Sequence, residues 1–159
     1  MLPRRDVSFP TLSTEFHACL LPLSILTGRA TTPLRLISFG YLHQPTKPDG
    51  PEADRIEDVR ERLRDPAVAK EILDLDGLHP RVQDIILNTP GAPEPIDNLV
   101  AYALVPTGPK VIALGCAGGK HRAAGLVELT ARRVPGRGRE VEAEHLHVHL
   151  PRVLGRASS

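Results

Sequence analysis

At 159 residues, 41% of them hydrophobic, the chain has the length of one domain and enough apolar residues to bury a core. The balance of 20 basic against 19 acidic residues, a formal charge of +1, excludes a globally basic nucleic-acid binder and leaves room only for a local patch. Aromatics at 3% with no Trp exclude a base-stacking platform, and Cys19 and Cys116, in unrelated contexts, read as free thiols of a reducing, cytoplasmic compartment rather than a disulfide framework.

Residues 1–33 read as a disordered leader. Arg4 and Arg5 precede an apolar run from Ala18 to Leu26, which superficially resembles a signal peptide. Pro22 and Ser24 interrupt that run, Thr27-Gly28-Arg29 is no small-x-small cleavage site, and the run is too short to span a bilayer, so no membrane association is expected. The folded domain is assigned to 34–154 and a short tail to 155–159.

Leu34–Gly40 alternates and reads as a first strand. Gln44–Glu52, with three prolines, is a loop. Ala53–Leu63 is charged and ambiguous, with Ile56, Val59 and Leu63 at helical spacing. Asp65-Pro66 is a helix start, Asp as N-cap and Pro at the first position, with Val68, Ile72 and Leu73 as its apolar face. Leu75–Leu78 is a turn, Pro80–Asn88 a helix, Pro90–Pro95 a loop, and Ile96–Leu104 a third helix.

Val111–Leu114 then reads as a strand, Gly115–Gly119 as a glycine-rich turn, and the residues to Arg133 as a helix with Leu126, Val127 and Ala131 on one face. Strand, glycine loop and helix together bind phosphate: glycines let the backbone approach an anion, and the unpaired N–H groups of the first helical turn point at it. Lys120 and Arg122 add positive charge at that spot. Glu140–Glu144 alternates as a half-buried strand with Val141 and Ala143 inward. Strands separated by helical stretches predict a single α/β domain with a mainly parallel sheet, its ligands at the carboxyl ends of the strands.

The loop can be tested against known phosphate chemistry. A nucleotide-hydrolase P-loop would need Gly at Leu114 and Ser or Thr at His121, and both are missing. The cysteine-phosphatase spacing C-x-x-G-x-x-R fits Cys116, Gly119 and Arg122, but Gly115 stands where that family has His, and Ala123 where it has Ser or Thr. A phosphatase using Cys116 and Arg122 is therefore the alternative reading.

Five segments in consistent order carry a wider resemblance: Ser38-Phe39-Gly40-Tyr41-Leu42-His43; Ala53-Asp54 with Asp58-Val59-Arg60 and Asp65-Pro66; Leu75-Asp76-Gly77-Leu78; Ile112 to Arg122; and Val141 to His145. From Leu34 to about His145 the sequence resembles the C-terminal domain of the RapZ family, bacterial RNase adapter proteins, with G-C-x-G-G-x-H-R as the most specific match. Nothing here resembles that family's N-terminal nucleotide-binding domain, so nucleotide-dependent activity is not expected to carry over. The resemblance implies a non-catalytic module that senses a phosphosugar, glucosamine-6-phosphate, and binds a small RNA presented to an endoribonuclease. It implies a ligand pocket made of Cys116, Ala117, Gly118, Gly119, Lys120, His121 and Arg122, faced by His43 and Arg60; strand parity adds His145 as a further candidate contact. No cofactor and no metal are expected, and a homo-oligomer stays open.

Ala117 and Ala123 stand where the family has Thr and Ser, and Glu144 and Leu146 where it has basic residues. Lys120, Arg122, Arg132, Arg133, Arg137 and Arg139 keep a basic stretch that serves equally as an RNA surface or as solvated charge at a helix C-terminus. His145, His147 and His149 share a period-two face. His145 is expected to point inward near the loop, and His147 and His149 to lie on the surface.

Overall fold

In the computed structural model, which describes residues 32–44, 46–63 and 72–152, four parallel strands form one sheet in the order β2-β3-β1-β4. They are β1 (Leu34–Gly40), β2 (Arg55–Asp58), β3 (Val111–Cys116) and β4 (Val141–His145), with helices α1 (Pro80–Leu87), α2 (Pro93–Ala103) and α3 (Arg122–Arg133) between them. Short 3-10 turns follow β1 (Tyr41–His43) and α3 (Pro135–Arg137). The α/β assignment and the mainly parallel sheet, expected from strands separated by helical stretches, therefore hold.

Alternation divides the sheet into two faces. Leu34 and Leu36 of β1 and Ile112, Leu114 and Cys116 of β3 join Val82 and Ile86 of α1, Ile96 and Leu99 of α2, and Leu126 and Val127 of α3 in the main core. Ile37, Phe39 and Ala113 form a smaller cluster on the other face, covered by Tyr41, Ala53 and Leu146 from connecting segments. Each fully buried Leu or Ile contributes ~1.5–3 kcal/mol, so the helical face dominates the stability. The chain consequently leaves β1 over one face, through Tyr41, and leaves β3 over the other, into α3. Neighbouring strands whose connections part this way open a crevice at their carboxyl ends.

Several boundaries differ from the sequence reading. Ala53–Leu63, with its helical spacing, contains β2 instead, because the strand buries a charged residue on the helical face. Glu57 is 5% exposed and its carboxylate is held by Arg55 at 2.9 Å and by Arg62, while Ile56 points to the other face and is 36% exposed. Asp54 starts the β2–β3 pairing by accepting the backbone N–H groups of Lys110 (2.6 Å) and Val111 (2.9 Å). The stretch read as a loop at 90–95 already contains the first turn of α2, where Pro93 and Pro95 have no intrahelical N–H to lose. The strand read as ending at Leu114 continues through Gly115 and Cys116, paired with Phe39 and Gly40 of β1. Ala143 is exposed rather than inward, since β4 is an edge strand and Ala is too short to reach the core.

The helix read at Asp65-Pro66 lies largely outside the described residues, as do 1–31 of the leader, the last two residues assigned to the domain (153–154) and the tail, 155–159. Among the described residues, no helix is long and apolar enough to cross a membrane.

Candidate functional site

All four strands are parallel, so their carboxyl ends share one edge of the sheet and four loops meet there. The loop after β3, Ala117–His121, lies against the end of β1. Gly119 takes φ 72°, the left-handed region that favours glycine, and a Cβ there would stand 2.7 Å from Gly40 N and 2.9 Å from Phe39 C. A Cβ on Gly40 would in turn come within 2.7 Å of Gly118 O and Gly119 N. These glycines let two backbones touch at the crevice. The amide of Leu42 donates to Ala117 O at 3.0 Å and closes the contact.

Cys116 sits beneath this loop. It is 4% exposed, belongs to the main core, and its Sγ accepts the Gly119 N–H at 3.1 Å. The N–H groups of Gly118 and Lys120 have no hydrogen-bond partner among the described residues. Lys120 O is held from below by Gly77 N at 2.8 Å, and a Cβ on Gly77 would meet His121 O at 2.5 Å. The Leu75–Leu78 turn therefore buttresses the first turn of α3.

The cationic residues are less free than their spacing suggested. Arg122 is 8% exposed, and its Nη1 donates to the carbonyls of Val59 (3.2 Å), Leu63 (3.1 Å) and Arg60. It ties the loop after β2 to α3. His121 is 6% exposed and donates Nε2–H to Leu75 O at 2.9 Å. Arg60 forms a bidentate pair with Asp58 (2.6 and 3.0 Å) and stacks over the Tyr41 ring at 4.1 Å. The Arg60 hydrogen bond lowers the Asp58 carboxyl below the usual carboxylate range, while burial, then the Asp58 charge, raises the Tyr41 phenol. Lys120 remains partly buried with no ion pair among the described residues.

The histidines divide between two arrangements. His145 ends β4 and points inward, as expected, but both ring nitrogens are committed. Ser38 Oγ lies 2.7 Å from Nδ1, and Nε2–H donates to Glu128 at 3.2 Å. His147, expected on the surface, instead accepts the Gly40 N–H on Nδ1 at 2.9 Å, and its ring centroid is 5.2 Å from that of His43. Burial, followed by the His43 and His149 charges, lowers the His147 imidazole. His149 is exposed. The apparent change of apolar parity after Ala143 has a simple cause: Leu146 serves the second core face. His43 Nε2 is buried without a partner among the described residues. Among those residues no group of three or more His, Cys, Asp or Glu could hold a metal ion.

Gly118, Gly119 and Lys120 thus converge with Gly40–His43 and His147 at one point, whereas Arg60, Arg122, His121 and His145 surround it as bonded framework. Residues 32–149 match the family described as the RapZ C-terminal domain. The chain belongs to the RapZ C-terminal domain family. It is similar to a nucleotide-binding protein of Acidiphilium cryptum, at 38% identity over 122 residues, covering 70% of this chain and 38% of the relative. It is also similar to nucleotide-binding proteins of Mycobacterium tuberculosis (36% identity, 64% of this chain, 35% of the relative) and Mycobacterium sp. strain KMS (34% identity, 77% of this chain, 41% of the relative). The chain therefore spans about two fifths of the length of the curated relatives it matches. This RapZ C-terminal-type domain carries the glycine loop on a doubly covered sheet. The bonds of Ser38 and Glu128 to His145, and of His147 to Gly40, were not anticipated from the sequence.

Proposed function

We propose that this domain is a non-catalytic binding module that holds the phosphate of a small phosphosugar between the loops after β1 and β3. The observation that carries the reading is the pair of N–H groups at Gly118 and Lys120, without partners among the described residues, at the carboxyl edge of the sheet. They belong to the loop that runs into the N-terminus of α3, and Lys120 brings a positive charge to that same loop. Glucosamine-6-phosphate is the ligand that family membership suggests. His43 and His147 pack against each other at the border of the same loop.

The burial of Cys116 supports binding over catalysis. A phosphatase nucleophile must reach phosphorus, and Cys116 is 4% exposed beneath the loop its Sγ would have to pass. A role as an RNase adapter, with small RNA and an endoribonuclease as partners in the cytoplasm, extends the reading. Of the basic stretch, Arg122 and Arg139 are buried on backbone carbonyls, so an RNA surface would rest on Lys120, Arg132, Arg133 and Arg137.

Thermal unfolding with and without millimolar glucosamine-6-phosphate, glucosamine, inorganic phosphate and a nucleotide tests the reading. Ligand at about 100 times Kd adds ~2.7 kcal/mol, a rise of roughly 5–10 °C at this size. A rise with the phosphosugar that exceeds those with phosphate and glucosamine is expected. No rise with any phosphate-bearing compound would overturn the proposal. Turnover of a generic phosphate ester that is lost in Cys116→Ser would replace it with the phosphatase reading.

A further inference from the structure

His147 has no place in the phosphate site read from the sequence, yet it makes a specific bond to the site's backbone. Its Nδ1 accepts the Gly40 N–H at 2.9 Å. A ring nitrogen accepts only when it is unprotonated, so the bond requires neutral imidazole with the proton on Nε2. Gly40 is the residue on which Gly118 and Gly119 rest, with no room even for a methyl group. The bond therefore fixes the chain after β4 to the surface that supports the glycine loop.

We propose that His147 is a proton-operated latch: neutral, it clamps the segment after β4 to Gly40 beneath the glycine loop, and on protonation it releases that clamp. Protonation would turn the acceptor into a second donor facing an N–H group. It would also place a positive charge among other basic side chains. His43, from the turn after β1, has its ring centroid 5.2 Å away, His149 lies two residues along the same segment, and Lys120 belongs to the glycine loop packed on Gly40. Tyr41, also in the turn after β1, has its ring engaged by Phe39 and Arg60. The carboxylate that α3 directs at the end of β4, Glu128, is bonded to His145 and paired with Arg132. Burial and the His43 charge act in the same direction and hold the ring neutral in the clamped state.

His147 is on this account a positioning residue, acting through Gly40. The latch stands on the hydrogen bond alone, whereas its effect on ligand affinity rests on the phosphate-site reading. The two are separated by testing the latch without ligand. In a 15N–1H titration of the wild-type chain from about pH 8 to about pH 5, the His147 ring nitrogens should report the Nε2–H form at the upper end. The Gly40 amide shift should follow the His147 midpoint, and Gly40 protection against exchange, corrected for intrinsic pH dependence, should fall roughly tenfold, as for loss of one ordinary hydrogen bond. His147→Asn, whose side-chain oxygen can accept without titrating, should leave the Gly40 amide flat, and His43→Asn should move the midpoint to higher pH. A Gly40 amide in wild type that stays flat across the His147 midpoint, or that follows His145 instead, would overturn the latch whatever ligand the site takes.

Discussion

Arg122→Ala separates framework from ligand contact at the residue where the two are easiest to confuse. Its spacing from Cys116 suggested a phosphate fork, whereas its Nη1 donates to three carbonyls of the loop after β2, two of them, those of Val59 and Leu63, in buried bonds at 3.2 and 3.1 Å. Truncation leaves these buried acceptors without their charged donor. Each such loss costs ~1–3 kcal/mol, so about 3 kcal/mol in total is expected, allowing for partial rehydration of the Arg60 carbonyl at the surface. At this chain length that is a fall in Tm of about 10 °C. Arg122→Lys should recover less than half, because one ammonium cannot reproduce a planar fork over several carbonyls. Chemical denaturation of wild type and both variants without ligand measures the cost directly. A native-like Arg122→Ala within about 0.5 kcal/mol of wild type would refute the framework role. If that variant also lost the phosphosugar-induced rise in Tm, the guanidinium would be a ligand group after all.

Three further outcomes follow from the packing. Gly40→Ala should cost about 2–3 kcal/mol, since the new methyl meets the backbone of Gly118 and Gly119, which cannot swing away as a side chain can, and loss of anion-induced stabilisation in the same melts should accompany it. Native Cys116, 4% exposed, should resist alkylation by iodoacetamide until the protein unfolds; prompt reaction in native buffer would contradict its burial. The Asp54 carboxyl is held below its usual range by the backbone N–H of Val111, then that of Lys110. The unfolded chain therefore takes up this proton first, so the contribution is complete above about pH 4 and is lost as pH falls below it. Asp54→Asn should flatten that part of the acid-denaturation profile, and an unchanged profile would remove Asp54 from it.

Strand β1 was legible from its bulky apolar residues Leu34, Leu36, Ile37 and Phe39, and β3 from the continuous apolar run Val111–Leu114, as suits strands with apolar cover on both faces. Helix α1 was legible from Val82 and Ile86 at helical spacing, and α2 from Ile96, Leu99 and Val100. Strand β2 was not, because its buried residue is Glu57, whose charge is compensated by Arg55 and Arg62 and leaves no apolar alternation to detect. His147 was missed for a related reason. Its burial comes from the end of β1, about a hundred residues earlier in the chain, and no local pattern encodes that contact.

The chain's own order of residues determined the α/β class, the glycine loop between an apolar run and a helix, and the cluster of basic and histidine residues around it. These follow from short-range rules: periodicity, the conformational freedom of glycine, and the N–H groups exposed at a helix start. Only the tertiary structure decided which of those residues are spent. It placed Arg122 and Arg139 on backbone carbonyls, His121 on Leu75 and His145 between Ser38 and Glu128, and brought Gly40, His43 and His147 to the glycine loop. The physical reason is that a buried polar group must find a partner, and in a parallel sheet that partner comes from a different strand end, far away in sequence.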